Sequence, residues 1–316
     1  MHQFSIITPA FNRAKYLPRI YDCLIEQGNV DFEWIIIDDG SSDNTREVVS
    51  NFEKSFVIKY AYQENAGKPS AMNAGFQMAD SYITLSALDS EDILCPNVLE
   101  TVWSFFDVKG GKFEHDCVCL SGLCQNENRD LLGMRFPHDY YVSDYIRYIQ
   151  NLKITGDKCE FFITEILKKY PYPVFKNEKN IAPSYLHIRI AWTYKTLYVN
   201  KIFMEKLFLE GGLSTQNYWL KYPLSSELYY NDTSIPPLRL KLQMRYSGEY
   251  IFYAKMNNKK SIFKNAKNKL IFPLGMVVYC KLSIKHFLKK FSFCRNVNKK
   301  IKKLLKIKSI KIIQEY

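Results

Sequence analysis

Phe32-Glu33-Trp34-Ile35-Ile36-Ile37-Asp38-Asp39-Gly40-Ser41-Ser42 is an apolar run that halts on two carboxylates and a glycine turn. Its length and its isoleucine content predict a strand buried on both faces, the kind that parallel sheets use. The flanking sequence repeats the design. Phe4-Ser5-Ile6-Ile7-Thr8 reads as a first strand, ended by Pro9 and a polar loop at Asn12-Arg13. Leu17, Ile20, Tyr21, Leu24 and Ile25 then recur at helical spacing up to Gly28. Beyond the glycine turn, Ser42 or Asp43 is positioned to cap a helix carrying Val48, Val49 and Phe52. A third strand near Phe56 to Tyr62, a helix from about Pro69 to Met78 and a fourth strand from Tyr82 to Leu88 complete the alternation. Strands alternating with helices predict an α/β fold with a doubly wound, mostly parallel sheet and flanking helices.

Further along, a helix is expected over Val98 to Phe106 and a strand around Cys117 to Leu120, before a polar stretch from Gln125 to Asp130. From Tyr140 to about Lys206 the pattern reads as mostly helical, interrupted by Pro171, Pro173 and Pro183. Gly211-Gly212 and Pro236-Pro237 mark a linking region, with a short helix expected at Leu238 to Tyr253. At 316 residues the chain has room for one large α/β domain, over about 1–210, followed by a linker and a helical extension over 211–316.

Charge is unevenly placed. From Ile251 to Tyr316 there are 18 Lys and Arg against a single acid, Glu315, so this end carries +17 and the preceding 250 residues carry −5. Ile284, Phe287, Leu288, Phe291, Ile301, Leu304, Leu305 and Ile312 fall near one helical face, with lysines over much of the rest. Residues 281–316 therefore read as a basic amphipathic helix suited to an anionic membrane surface. A helix packed on its own domain, with a solvated lysine face, is the alternative. Lysines interleaved with aliphatic residues, and a lone Arg295 after Lys290, favour a membrane over nucleic acid. Leu270 to Cys280 is too short to span a bilayer and contains Pro273 and Gly275, which suits an interface. The N-terminus enters a strand pattern directly, so no secretory leader is expected. Eight cysteines without a CxxC pair suit a reducing compartment. Cys117 and Cys119 alternate along an apolar run with His115 and Cys124 nearby, which reads as core thiols ahead of a zinc site. These features predict a cytoplasmic protein held peripherally at the inner face of the cell membrane.

Three loops fall at successive strand ends: Thr8 to Arg13, Asp38 to Ser42, and Asp89 to Asp92. A parallel sheet brings such loops to one rim, where ligands of open α/β sheets gather. The last of them, in Leu85-Ser86-Ala87-Leu88-Asp89-Ser90-Glu91-Asp92, ends an apolar run on three carboxylates within four residues. Hard divalent cations prefer such oxygens and accept phosphate oxygens as further ligands. Alone, the turn reads equally well as the start of the helix after Pro96. Asp39 and the Asn12-Arg13 loop add groups for a nucleotide, which favours the metal-diphosphate reading. There is no Walker loop and no GxGxxG, which argues against P-loop hydrolysis and dinucleotide binding.

With these residues assembled, the first 90 or so positions resemble the family 2 glycosyltransferases, which have the Rossmann-like GT-A fold. The matching segments are Ser5 to Arg13, Trp34 to Asp43, Glu64-Asn65-Ala66-Gly67-Lys68 through Asn73-Ala74-Gly75, and Leu88 to Asp92. The resemblance implies a nucleotide-sugar-binding half over 1–120 and an acceptor-side half over 121–210. It implies that Pro9, Phe11, Asn12 and Arg13 surround a nucleobase and ribose, that Asp39 pairs with the uracil imide, and that Lys68 and Asn73 flank the diphosphate and sugar. Asp89 and Glu91 would complete the nucleotide site, and Asp92, with Glu91, would hold Mn²⁺ or Mg²⁺. Glu91 departs from the family's usual Asp.

The implied reaction is inverting transfer from a UDP-sugar to a hydroxyl of a lipid-linked oligosaccharide, as in bacterial surface-polysaccharide assembly. Transfer to a protein or a polyprenyl phosphate, or a non-catalytic domain, are the alternatives. Such a reaction needs one base to take the hydroxyl proton. Many relatives carry an acid shortly before a helix resembling His187-Ile188-Arg189, but the nearest positions here are Ala182, Pro183 and Ser184. Glu178 is the expected base, with Glu160 and Asp157 behind it. His187 and His138 read as structural, and Arg189 with Thr193-Tyr194-Lys195 as either a diphosphate grip or a solvated face.

Overall fold

The computed structural model describes residues 1–53, 55–147, 154–207 and 218–291. They divide into a compact unit from Met1 to Tyr229 and a second beginning at Tyr230. In chain order the first contains β1 (His2–Ala10), α1 (Leu17–Ile25), β2 (Phe32–Asp38), α2 (Thr45–Ser50), β3 (Val57–Tyr62), α3 (Lys68–Met78), β4 (Ser81–Leu85), β5 (Ile93–Leu94) and α4 (Val98–Trp103). There follow β6 (Phe106–Asp107), β7 (Lys112–Phe113), β8 (Cys119–Asn126), β9 (Tyr140–Ser143), α5 (Tyr145–Arg147), β10 (Lys158–Ile163), α6 (Thr164–Lys169), α7 (Ser184–Ala191), β11 (Thr196–Lys206) and α8 (Tyr218–Lys221). α9 (Pro223–Thr233) crosses the division, and α10 (Leu240–Met256), α11 (Ile262–Asn265) and α12 (Phe272–Phe291) belong to the second unit.

The main sheet runs β3-β2-β1-β4-β10-β8-β11-β5, with β9 pairing to β11. β3, β2, β1 and β4 are mutually parallel, in a register that sets Ala10 opposite Asp38. The apolar runs are continuous because both faces are covered. Phe4, Ile6, Trp34 and Ile36 enter one core cluster, whereas Ile7, Ile35 and Ile37 enter the other, under α3. Gly75 lets α3 sit down on the sheet, since a Cβ there would lie 2.5 Å from the Ile7 side chain. Cys117 and Cys124 pack into the first cluster and Cys119 into the second, with burial pushing the Cys117 thiol up to about 11.

β4 ends at Leu85, three residues short of the expected Leu88, yet the Leu88 N–H still donates to the Ile7 carbonyl at 2.8 Å. The acidic turn therefore begins at the sheet's rim. The second half departs from expectation. The region read as mostly helical contains β9, β10 and β11, and β10 is antiparallel to both β4 and β8. Lys158-Cys159-Glu160-Phe161-Phe162-Ile163 and Thr196-Leu197-Tyr198-Val199 are rich in aromatic and β-branched residues, and neighbouring strands fix them in the sheet.

In the second unit α10 and α12 pack closely. A Cβ on Gly248 would stand 2.6 Å from Val278 Cβ, and one on Gly275 would meet Ser247 Oγ. Leu270 to Cys280 thus leads into a packed helix, with Pro273 in its first turn. The opposite side stays open: Leu270, Leu274, Val277 and Ile284 are exposed. The remaining residues of the expected amphipathic face, from Phe287 to Ile312, fall outside the described side chains. Among the described residues no helix is long and apolar enough to cross a membrane.

Candidate active site

The loops after β1, β2 and β4 open into one cavity of about 1130 Å³, walled on its far side by residues of β10, α7 and β11. Pro9, Phe11, Arg13, Asp39, Lys68, Asp89, Glu91 and Asp92 line it together. Asn12 has another task. It adopts a left-handed φ of 54°, which asparagine tolerates, and its Oδ1 accepts from the N–H groups of Ser42 and Asp43 at 2.8 and 3.3 Å. Asp43 accepts in turn from the Ala14 N–H at 3.1 Å. These bonds clip the β1 loop to the β2 loop, so Asn12 shapes the nucleotide pocket rather than lining it.

Asp39 is buried at the floor. Its Oδ1 accepts from Gln63 Nε2 at 2.7 Å and from the Ala66 N–H at 2.9 Å, and its Oδ2 from the Gly67 N–H at 2.8 Å. A carboxylate offers about four acceptor positions, so one remains on Oδ2 for an incoming donor. Gly67, at φ 93°, lies flat against the Lys179 backbone: a Cβ would collide with Lys179 Cα, and the Lys68 N–H donates to the Lys179 carbonyl at 3.1 Å. Asn73, expected beside the sugar, instead exchanges two hydrogen bonds with the Tyr172 backbone, at 2.8 and 2.7 Å, and holds that wall to α3.

Each carboxylate of the acidic turn faces a cation. Lys68 Nζ lies 2.5 Å from Asp89, Arg13 Nε 3.9 Å from Glu91, and Lys206 Nζ 2.9 Å from Asp92. Burial opposes ionisation of Asp89, but Lys68 and Lys206 hold it below the usual carboxylate range. Burial pushes Asp92 up to about 7, with Asp89 adding to the push and Lys206 opposing it. Lys206 in turn is desolvated yet raised, because Asp92, Asp89 and Asp157 surround it. Lys206 was not anticipated. The only local signal is the short apolar stretch Ile202-Phe203-Met204 running into Glu205-Lys206, and the polar Asn200-Lys201 just before it breaks the strand pattern.

Hard carboxylate oxygens suit Mn²⁺ or Mg²⁺, and Asp92 and Glu91, which line the cavity, are the residues that would hold such an ion. Among the described residues no three His, Cys, Asp or Glu side chains converge as a ready-made cage. Phosphate oxygens of a bound nucleotide would complete the coordination, the usual arrangement for Mg²⁺.

The expected base is corrected by its surroundings. Glu178 is buried outside the cavity lining, and its two oxygens accept from the N–H groups of Leu224 and Ser225 at 2.6 and 2.7 Å. It caps the positive N-terminal end of α9, where a carboxylate is stabilised. Glu160 and Asp157, its reserves, do line the cavity, and so do Ser184 and His187. Arg189 is no diphosphate grip: it donates to the Pro171 carbonyl at 2.7 Å and lies over the rings of Tyr170 and Tyr185.

Comparison with known proteins agrees with this geometry. The chain is 27% identical over 224 residues to the glycosyltransferase GlyA of Streptococcus pneumoniae, covering 67% of this chain and 31% of that protein. It is 38% identical over 97 residues to the chondroitin synthase of Pasteurella multocida, covering 30% of this chain and 10% of that one. The chain thus spans a third or less of the length of these curated relatives. The crystal structure of Staphylococcus aureus TarS with UDP-GlcNAc superposes with a TM-score of 0.62 at 18% identity, over 87% of this chain and 79% of that one, which speaks to the fold alone. The model of glycosyl transferase family 2 matches residues 5–170, more than half of the sequence, and the chain belongs to that family, on a GT-A fold.

Proposed function

We propose that this chain transfers a sugar from a UDP-sugar to a hydroxyl of a lipid-linked saccharide, inverting the anomeric carbon, in the assembly of a surface polysaccharide. The observation that carries this reading is the convergence of Asp39, the acidic turn and three basic side chains on one cavity at the β1, β2 and β4 rim. The open acceptor position on Asp39 Oδ2 suits the N–H of a uracil ring, beside the half-exposed Phe11 and Pro9. Lys68 and Arg13 are within reach of a diphosphate. A divalent cation held by Asp92 and Glu91 would offset the charge that develops on the departing UDP. TarS, which shares the fold, was crystallised with UDP-GlcNAc, and a donor of the same class is proposed here.

The test is a panel of nucleotide sugars with and without Mn²⁺ or Mg²⁺. Release of UDP from at least one UDP-sugar, lost with EDTA and restored by the metal, is the expected result. Absence of both UDP binding and release from a folded protein would end this reading.

The second unit supports peripheral attachment at the inner face of the cell membrane. Exposed Phe263, Leu270, Leu274 and Val277 occur in one stretch with exposed Lys259, Lys260, Lys264, Lys269 and Lys281. Apolar insertion combined with basic side chains is the recipe for anionic bilayers. The full chain should sediment with phosphatidylserine-containing vesicles and much less with phosphatidylcholine alone, and deletion of 281–316 should weaken the effect. Equal sedimentation with both vesicle types would exclude it.

A further inference from the structure

The transfer reading leaves the proton of the acceptor hydroxyl without a destination, because Glu178 is a helix cap. Six carboxylates line the cavity. Asp89, Glu91 and Asp92 each face a basic side chain, Asp157 lies 3.6 Å from Lys206, and Asp39 accepts three hydrogen bonds. A carboxylate held by a cation is a poor proton acceptor, and Asp92, which burial raises to about 7, is committed to Lys206 at 2.9 Å and to the proposed metal. The sixth, Glu160, is different: its Oε2 lies 3.0 Å from His187 Nε2, with the side chains only 14% and 11% exposed. At the start of α7 the chain has Ala182, Pro183 and, as the helix's first residue, Ser184, whose hydroxyl does not serve as a base at neutral pH. His187 follows three positions later on α7, so the two share one helix face.

We propose that His187 is the group that takes the acceptor's proton, with Glu160 as the residue that positions it; this rests on the transfer reading above. A carboxylate only accepts, so Nε2 carries the proton toward Glu160 and Nδ1 keeps a lone pair. As the acceptor oxygen bonds to the anomeric carbon, the bond from that carbon to the diphosphate breaks and its electron pair leaves with UDP. The hydroxyl proton passes to Nδ1. The imidazolium so formed stands 3.0 Å from the Glu160 carboxylate, which balances its charge. The rings of Tyr145 and Phe162, with centroids at 5.2 and 5.5 Å, fix the imidazole plane. Among the described residues, the titratable groups facing His187 from the elements packed around it are Glu160 of β10 and Tyr145 of α5.

The test uses the full chain, UDP titration to follow binding, and UDP release from the donor selected by the panel, with water as acceptor. His187→Gln should lower kcat about 100-fold or more while UDP affinity stays within about threefold. Protonation removes an imidazole base's lone pair, so wild-type kcat should fall on acidification and the residual activity of His187→Gln should not. Glu160→Gln should reduce kcat about tenfold and displace that fall. Ser184→Glu in the His187→Gln background should restore at least tenfold, with its acid limb at lower pH, which a lost fold would not permit. If wild type turns over its donor and His187→Gln matches it, the assignment is overturned and the transfer reading stands. If wild type neither binds UDP nor releases it, both fall.

Discussion

Asp92→Asn should leave a folded protein whose donor turnover is lower by roughly a thousandfold. Asp92 is only 2% exposed and sits against Lys206 at 2.9 Å. Asparagine keeps an oxygen that can accept from the lysine but removes the charge that would bind a cation, so the loss falls on chemistry and not on the fold. Asp92→Ala is expected to do both. It leaves a buried ammonium with Asp157 at 3.6 Å and Asp89 as its remaining neighbours, and removing one partner of a buried pair costs about 3 kcal/mol. UDP release and thermal melting separate the two variants. Turnover of Asp92→Asn within tenfold of wild type would reduce the acidic turn to the start of a helix.

Gly67→Ala should destabilise the protein by about 2–4 kcal/mol and weaken UDP binding by at least about tenfold. The position has φ 93°, which disfavours any side chain, and the new Cβ would collide with the Lys179 backbone. Relief requires the loop to lift, and with it go the Gly67 N–H bond to Asp39 and the placement of Lys68 against Asp89. Gly111 is the control. Its φ is 62° but a Cβ there meets nothing within 4 Å, so Gly111→Ala carries backbone strain alone, about 1 kcal/mol. Urea melts and UDP titration read both effects; equal stability of the two variants would show that the contact with Lys179 is loose.

The first 90 residues were legible because β1, β2 and β4 are largely buried on both faces, and a continuous apolar run such as Trp34 to Ile37 has few other homes; β3, at the sheet edge, is only half-buried. Their loops carried the donor-side residues at fixed places after each strand. β10 and β11 were not legible as strands. Lys158 to Ile163 mixes charged with apolar residues, and it becomes a strand by fitting between β4 and β8, partners that lie 35 or more positions upstream. Glu178 misled for the same reason. Its role depends on the amides of Leu224 and Ser225, 46 and 47 residues away, and nothing local to Asn177-Glu178-Lys179 announces a buried cap. Asn12 and Asn73 stand at family positions, yet each satisfies backbone groups of a neighbouring loop, which the spacing of motifs does not reveal.

The pairing of Asp89, Glu91 and Asp92 with Lys68, Arg13 and Lys206 has a kinetic consequence. With Asp39, Asp157, Glu160, Lys158 and Lys179 included, six carboxylates face five basic side chains around the cavity, which leaves little net field, so an anionic donor is not drawn in from a distance. Capture then depends on exchanging partners at contact range, where salt screens little. The association rate of UDP, followed by stopped flow, should change less than about threefold between 20 and 300 mM salt, whereas a pocket of unpaired lysines would slow steeply. The cell's ionic strength would set the membrane affinity of the lysine-rich end far more than the speed at which the nucleotide arrives.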